Sequence, residues 1–276
     1  MIIRDEFQIG RAALLRGLHF GRRGSAALPW IATILFFAFG VAAAATTNDL
    51  SDAQIQGRQL AQQLCEARPA ENFTNAGTLK IKKQGSAWSD HTIRVQLNIT
   101  PTNWGIAYCS DYPTNNDILS TSSPASLLEI IHNGNQPNEY LLQDGSCLAV
   151  EIRSNDTMKP YTDSDFWVAD LGLEFFHWPE QKILKHEMRR GRACKVLEST
   201  NPSPATNGYS RVVSWIDNES GGIVQAEAYD LKNKLLKEFA PKSFKKVNGQ
   251  WELQEMEIRN VQTGSRTRLE FDLEKE

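Results

Sequence analysis

Alternating apolar and polar positions run through most of the chain beyond residue 78 and predict β-strands. In "HTIRVQLNIT" the side chains of Ile93, Val95, Leu97 and Ile99 fall on one face of an extended chain. Further segments of this kind follow, and turn-rich pieces such as "HNGNQPN", "RRGR" and "NESGG" separate them. About a dozen strands with such short connections predict an antiparallel meander.

Two segments interrupt this pattern and predict helices. In "DLSDAQIQGRQLAQQLCEAR" apolar residues recur near helical spacing, Ser51 is placed to cap the helix, and Pro69 stops it. In "DSDFWVADLGLEFFHWPEQ", Ser164 is placed to cap a short helix that Gly172 ends. We therefore predict a mainly β fold, in which a strongly curved antiparallel sheet forms an incomplete β-barrel with covering α-helices. The interior of such a barrel is either filled by side chains or encloses a ligand cavity.

The second helical segment carries a stripe of large apolar side chains at helical spacing. The stripe consists of Trp167, Leu171, Phe175 and Trp178. Such a face either docks on the sheet as core or acts as a lid over a ligand, and both interpretations stay open at this point. Gly172 and Pro179 break the segment, which favours a short lid over a long docked helix.

The first 45 residues differ in character from the rest of the chain. A basic flank leads into the uncharged run "LPWIATILFFAFGVAAAA", residues 28–45, which ends in small residues. This order is typical of a secretory signal peptide cut after residue 43, 44 or 45, and it leaves residues 46–276 as one periplasmic domain. The alternative is an uncleaved anchor in the inner membrane, because a run of this length just spans a bilayer.

The charge and the cysteines narrow the class of protein further. A net charge of -3 gives no indication of the basic excess that binding to nucleic acid demands, so we predict no nucleic-acid partner. All four cysteines lie after the predicted signal, and an even number in an oxidising compartment predicts two disulfides. Proximity along the chain favours the pairs Cys65–Cys109 and Cys147–Cys194 among the three possible pairings.

Motifs of catalysis and metal binding are missing from the sequence. It contains no G-x-S-x-G elbow, no H-E-x-x-H pair and no P-loop. His177 lies between Glu174 and Glu180, but a histidine at the polar rim of an aromatic cluster explains it more simply than a metal site does. We predict a protein that is not an enzyme and that carries no metal and no cofactor, with an exported hydrolase as a weaker alternative.

One stretch of the second helical segment resembles a known family. "SDFWVADL", residues 164–171, is similar to the "SDF-(S/T)-x-x-DL" signature of the outer-membrane lipoprotein-sorting family. The segments "YSRVVSWIDNESGG", "YDLKNKLLKEF" and "KKVNGQWELQ" follow in the order that this family shows. The resemblance extends over about residues 164–273, whereas residues 46–160 match only in their strand pattern.

The resemblance implies a half-barrel that is lined with apolar side chains, closed by helices and free of cofactor and reaction. It implies an exported carrier whose cargo is a lipid or a lipid-modified protein, with an inner-membrane exporter or an outer-membrane acceptor as further partners. The alternative is a non-catalytic envelope scaffold with the same fold. From their character and position, the residues predicted to bind the ligand are Trp167, Leu171, Phe175 and Trp178 in the lid and Trp215 in the wall.

Overall fold

The computed structural model describes residues 50–110, 126–144, 150–152, 156–247 and 249–273. The predicted signal peptide lies outside these residues, so its cleavage and the division of the chain at residue 45 stay predictions. Within the described ranges, no helix combines the length and the apolar character needed to cross a membrane.

Helix α1, Asp52–Glu66, forms where the sequence predicts it. Ser51 caps it by a reciprocal arrangement, in which the Gln54 amide donates to Ser51 Oγ and the Ser51 amide donates to Gln54 Oε1 at 2.9 Å. This capping box satisfies amides that an uncapped first turn would leave without partners. The prediction of the helix and of its N-cap is confirmed.

In the described ranges, thirteen strands form one antiparallel sheet. They are β1 (Phe73–Lys82), β2 (Trp88–Ile99), β3 (Trp104–Ser110), β4 (Ser126–His132), β5 (Glu139–Asp144), β6 (Val150–Ile152), β7 (Glu180–Arg189), β8 (Arg192–Thr200), β9 (Arg211–Asp217), β10 (Ile223–Tyr229), β11 (Leu235–Val247), β12 (Gln250–Asn260) and β13 (Arg266–Phe271). Their order across the sheet is β6-β5-β4-β3-β2-β1-β13-β12-β11-β10-β9-β8-β7. Since β6 and β7 are the two edges and do not pair, the sheet is an incomplete barrel, as predicted.

The sheet is curled, so that the turn between β7 and β8 approaches β11. β7, β10 and β11 each carry a register shift, and such bulges bend and twist a strand. Arg190 Nη1 donates to the carbonyl oxygen of Pro241 in β11 at 2.9 Å, although β8, β9 and β10 lie between the two strands. The curl therefore brings distant strands of the sheet within reach of one side chain.

The segment that joins the edge strands crosses the inner face of the sheet. We call residues 156–179 the crossover; it carries helix α2, Val168–Leu171, and a 3-10 helix, Glu174–His177. Its buried residues Phe166 and Val168 join one core cluster with Leu79 and Ile258 of the sheet. A second cluster packs the 3-10 helix and α1 against β7–β10. The inner face is thus the face that carries both clusters.

Helix α1 extends from edge strand β7 to the opposite half of the sheet. A Cβ atom placed on Gly57 would lie 2.5 Å from the backbone nitrogen of Lys182, so the helix touches the β7 backbone directly. Past the C-terminal end of the helix, the Arg68 guanidinium donates to the carbonyl oxygens of Thr100, Pro101 and Asn103 in the β2–β3 turn. The helix therefore lies across the open side of the half-barrel.

We expect Gly57→Ala to destabilise the protein, although at an exposed position inside a helix alanine is more stable than glycine by roughly 1 kcal/mol. The added methyl group has no room against β7, and overpacking of this kind costs about 1–3 kcal/mol. Urea denaturation measures the effect, with Gln63→Ala on the exposed side of α1 as a control that should leave stability unchanged. A more stable Gly57→Ala variant would show that α1 does not press on the strand.

The aromatic stripe does not form the single helical face that its spacing predicts. Helix α2 begins only at Val168 with Trp167 as its N-cap, whereas the Ser164 hydroxyl donates to the Tyr161 carbonyl oxygen in the preceding turn. Leu173 then adopts a left-handed conformation, with φ of 50°, and separates α2 from the 3-10 helix. The predicted cap at Ser164 and the continuous face are wrong, because this turn chemistry divides the segment into two short helices.

The predicted disulfides are also wrong in the described part of the chain. Cys65 and Cys194 are free thiols, so neither Cys65–Cys109 nor Cys147–Cys194 forms; Cys147 itself lies outside the described residues. Cys65 lies in the last turn of α1 and packs against the inner cluster, whereas Cys109 neighbours the inward-facing Tyr108 and therefore points to the other face of β3. Burial, together with the Glu66 and Glu174 carboxylates, raises the pKa of the Cys65 thiol to about 12.

Candidate functional site: an apolar cavity under the crossover

A cavity of about 580 Å³ lies on the inner face of the sheet, between the crossover, the end of α1 and strands β9–β12. This volume falls within the roughly 300–1,000 Å³ of small-molecule sites. Its lining is predominantly apolar, and its floor includes Val212, Ala226, Ala228, Phe239, Met256 and Ile258. Strands of the sheet therefore supply the floor of the cavity, and the short helices of the crossover and the end of α1 supply its cover.

Side chains of the crossover and of α1 cover the cavity. Leu171, Phe175 and Phe176 line it from the crossover, and Leu64 lines it from α1. The rings of Phe175 and Phe176 meet edge to face with their centroids 4.6 Å apart. Leu173, which also lines the cavity, is 38% exposed and holds the left-handed backbone conformation. A bulky side chain in that conformation stores strain beside the cavity.

The structure places the five predicted ligand-binding residues in different surroundings. Leu171 and Phe175 line the cavity, so the structure brings these two together. Trp167 stacks on Tyr209 with centroids 4.6 Å apart, and Trp178 packs behind Phe175; neither is among the lining residues. Trp215 lies on the outer face, in a cluster with Cys194 and other residues.

Strand alternation explains the position of Trp215. Val212 and Ile216 of β9 belong to the inner cluster. Because side chains alternate between the two faces of a strand, the odd-numbered residues Val213 and Trp215 point outward. The Trp215 indole N–H donates to Glu187, and the Arg189 guanidinium lies 4.6 Å from its ring. The small residues of the cavity floor, above all Ala226, were not predicted from the sequence. The alternate alanines of "IVQAEAYD" were a signal for them, because small inward side chains leave space above a sheet.

The first acid of the "SDFWVADL" stretch ties the crossover to β13. The Asp165 carboxylate accepts from Ser265 Oγ at 2.5 Å and from Thr267 Oγ1 at 3.0 Å. The Asp165 amide in turn donates to Thr267 Oγ1 at 2.8 Å. All three residues are buried. Because buried polar groups need partners, these bonds fix where the crossover meets the sheet.

The second acid of the stretch is the centre of a buried charge network. The Asp170 carboxylate accepts from the Tyr209 hydroxyl at 2.8 Å, from Lys237 Nζ at 3.2 Å and from the Trp167 amide at 2.8 Å. Lys237 Nζ also donates to the Asp165 carbonyl oxygen at 2.7 Å and lies 3.5 Å from the centroid of the Trp167 ring. Lys237 is only 2% exposed.

Burial of Lys237 lowers its pKa to about 8, although the Asp170 and Asp165 charges oppose that shift. The pKa of the Tyr209 hydroxyl is raised well above its usual range, first by burial and then by the Asp170 charge. The network therefore holds the crossover against Tyr209, which lies just before β9, and against Lys237 of β11, through groups that have little contact with water. Asp165 and Asp170 thus fix the position of the crossover on the sheet beside the cavity.

A third polar group lies under the 3-10 helix. The Tyr140 hydroxyl donates to the Glu174 carboxylate, and Asn138 Nδ2 donates to the Gly172 carbonyl oxygen at 2.7 Å. Burial raises the pKa of Glu174, and the hydrogen bond from the Tyr140 hydroxyl partly offsets this rise. Burial likewise lowers the pKa of His177. In the described ranges, no group of three histidine, cysteine or acidic side chains is arranged to hold a metal ion.

We expect His132 to make the protein sensitive to acid. Its ring stacks on Trp104 at 3.8 Å, and burial, with His177 nearby, lowers its pKa from 6.5 to about 4. Between those values the unfolded chain binds a proton that the folded protein does not, so stability falls as pH falls through this window. The loss that is due to His132 should reach about 2 kcal/mol at pH 5.

Urea denaturation at pH 7 and at pH 5 measures this loss, with His132→Phe as the comparison because phenylalanine can keep the stacking on Trp104. The variant should lose less stability than the natural protein between the two pH values. Two other buried groups also change stability between these pH values. Acid lowers stability through His177 and raises it through Glu174, and both contributions cancel when the variant is compared with the natural protein. Equal losses in both would contradict the assignment.

Comparison with solved structures identifies the class of fold. A DUF1329 family protein from Desulfovibrio piger superposes with a TM-score of 0.63 at 18% identity, over 80% of this chain and 92% of that chain. A structure described as an outer membrane lipoprotein-sorting protein domain, from Vibrio parahaemolyticus, gives 0.62 at 21% identity, over 79% and 91%. A LolA superfamily protein from Nitrosomonas europaea gives 0.52 at 14%, over 82% and 96%.

The chain therefore has the open half-barrel fold of the lipoprotein-sorting type, and the resemblance drawn from its residues is confirmed at the level of the fold. It belongs to the family whose model, described as "Uncharacterized protein", matches residues 125–274, more than half of the chain. No curated protein matches the sequence.

Proposed function

We propose that the protein is an exported carrier that holds the acyl chains of a lipid or of a lipid-modified protein in the inner-face cavity. The observation that carries this proposal is the apolar cavity of about 580 Å³ beneath the crossover. Removing a hydrocarbon chain from water is favourable by about 0.8 kcal/mol per methylene group. A lining of leucine, phenylalanine, methionine and alanine side chains suits such a chain and offers few polar contacts to any other ligand.

The charged residues of the lining support binding over catalysis. Among the described lining residues these are Asp170, Lys237 and Arg68. The first two form a buried pair with each other, and Arg68 donates to main-chain carbonyl groups. None of the three forms the nucleophile–base or paired-carboxylate arrangement that hydrolysis needs. The scaffold alternative differs from the carrier in one respect: a scaffold does not need the cavity to be occupied.

The periplasm is the proposed location, and the predicted signal peptide is the reason. If residues 28–45 instead stay as an anchor, the same domain would work at the surface of the inner membrane. An inner-membrane exporter as donor and an outer-membrane acceptor are the proposed partners for a carrier of this kind. The fold neighbours, at 14–21% identity, support the carrier class but name no cargo for this chain.

Titration of a fluorescent, uncharged acyl ester into the delipidated protein tests the proposal. We expect saturable uptake of about one probe per cavity, and displacement of the probe by an unlabelled lipid. A scaffold with an unused cavity would show no saturable uptake, which would refute the carrier function. Occupancy in the cell needs a second measurement, on protein taken directly from its own envelope.

A further inference from the structure

The cationic groups of the cavity lining differ in how their charge is compensated. Lys237 has the Asp170 carboxylate as its counter-charge within the buried network. Ala67, Arg68 and Pro69 line the cavity just past the end of α1, and we call this exposed part of the lining the mouth. The Arg68 guanidinium donates to the carbonyl oxygens of Pro101 at 3.1 Å, Asn103 at 3.0 Å and Thr100, and all three are neutral groups. In the described part of the chain no carboxylate forms an ion pair with Arg68. The mouth therefore carries a positive charge without a paired anion.

The three carbonyl groups orient the Arg68 guanidinium but use only some of its donors. A guanidinium has five N–H groups, so the three hydrogen bonds leave donors available to a ligand. Arg68 is exposed, so an anion in solution can reach it. The nearest acid along the chain, Glu66, is held by Gln62 at 2.9 Å and by Asn135 at 2.5 Å.

We infer that the cavity takes an acyl chain with an anionic head group, and that Arg68 binds this head group at the mouth. The inference rests on the proposed function, since it names the class of ligand for the same cavity. The hydrocarbon tail passes Leu64 and Phe176 and reaches the alanines of the floor. A carboxylate and a phosphate share the chemistry that a guanidinium recognises. The head group is therefore either that of a free fatty acid or that of a phospholipid.

Displacement of the uncharged acyl ester probe by lipids with one common chain tests the inference. The competitors are palmitate, a palmitoyl lysophospholipid with an anionic head, and palmitoyl glycerol as the uncharged reference. We expect the anionic lipids to bind about tenfold more tightly than the uncharged one, the low end for a charge-assisted hydrogen bond. The ranking of the two anionic lipids distinguishes the carboxylate from the phosphate source.

Substitutions at two positions, Arg68 and Glu66, separate the head-group contact from a general effect on folding. Arg68→Gln should remove the preference for anionic lipids, and Arg68→Lys should keep most of it. Glu66→Gln removes a negative charge from the same end of α1 and should increase the preference. A release of α1 by the loss of Arg68 would instead change the affinity for palmitoyl glycerol, which serves as the internal control.

The outcomes distinguish this inference from the proposed function. Equal binding of charged and uncharged lipids by the natural protein would overturn the head-group site and leave the carrier function intact. Failure of all three lipids to displace the probe, together with no saturable uptake of the probe itself, would overturn the carrier function and the head-group site together. A preference that survives in Arg68→Gln would refute the role of Arg68.

Discussion

Replacing Asp170 by asparagine is expected to lower the free energy of unfolding by about 3–5 kcal/mol, the usual cost of breaking a buried ion pair. Lys237 is 2% exposed, and Asp170 is its carboxylate partner in the network. Without that partner, the ammonium group must stay charged in a site that has little contact with water, or lose its proton. Either result weakens the bonds that hold the crossover against Tyr209 and against Lys237 of β11, and urea denaturation measures the loss.

Two controls show whether the effect comes from the buried charge. Asp163→Asn, in the same crossover, breaks only a surface pair with Lys83 at 3.5 Å and should cost at most about 1 kcal/mol. Adding Lys237→Met to Asp170→Asn removes the stranded charge, so the double variant should be more stable than the single one. If Asp170→Asn costs no more than Asp163→Asn, the network does not pin the crossover.

Ala226→Phe is expected to weaken acyl binding by about a hundredfold while the fold is kept. Ala226 lies on the cavity floor between Ser214 and Phe239 of the neighbouring strands, and its small side chain leaves the space above it open. A phenylalanine ring there displaces about four methylene groups of a bound chain, and their loss amounts to about 3 kcal/mol. Displacement titration with the uncharged acyl probe measures the affinity.

The matched control for this substitution is Ala107→Phe on β3. Ala107 neighbours Tyr108, which lines the cavity, so its own side chain points to the outer face. This variant should bind the probe as the natural protein does. Thermal melting of both variants provides the second readout, since an overpacked core would cost Ala226→Phe about 1–3 kcal/mol. A large loss of stability with little change in affinity would mean that the floor is plain core.

Local patterns were enough to predict the elements of the fold. Ser51 and Gln54 encode the start of α1 within four residues, and the alternation of Ile93, Val95 and Leu97 shows which face of β2 is buried. Both signals depend on neighbours along the chain, so a single sequence contains them. The incomplete barrel follows from the number of strands and from the few helices available to cover them.

The site was less predictable because it depends on contacts between distant segments. The aromatic stripe indicated the lid, yet the left-handed Leu173 that divides it is set by its surroundings and not by helical spacing. Trp215 was assigned to the cavity wall from its character and position, whereas the alternation of side chains along β9 turns it to the outer face. Lys237 and Arg68 were missed because their partners lie 67 and 32 to 35 residues away along the chain.

Native mass spectrometry of the protein purified gently from its own envelope shows whether the cavity holds an acyl chain in the cell. We expect a population heavier than the polypeptide by the mass of an acyl-bearing molecule, and Ala226→Phe should reduce that population strongly. Collisional activation should release the molecule and identify its head group. If the natural protein from lipid-rich cells is detected only at the mass of its polypeptide, the cavity does not hold acyl chains in the cell.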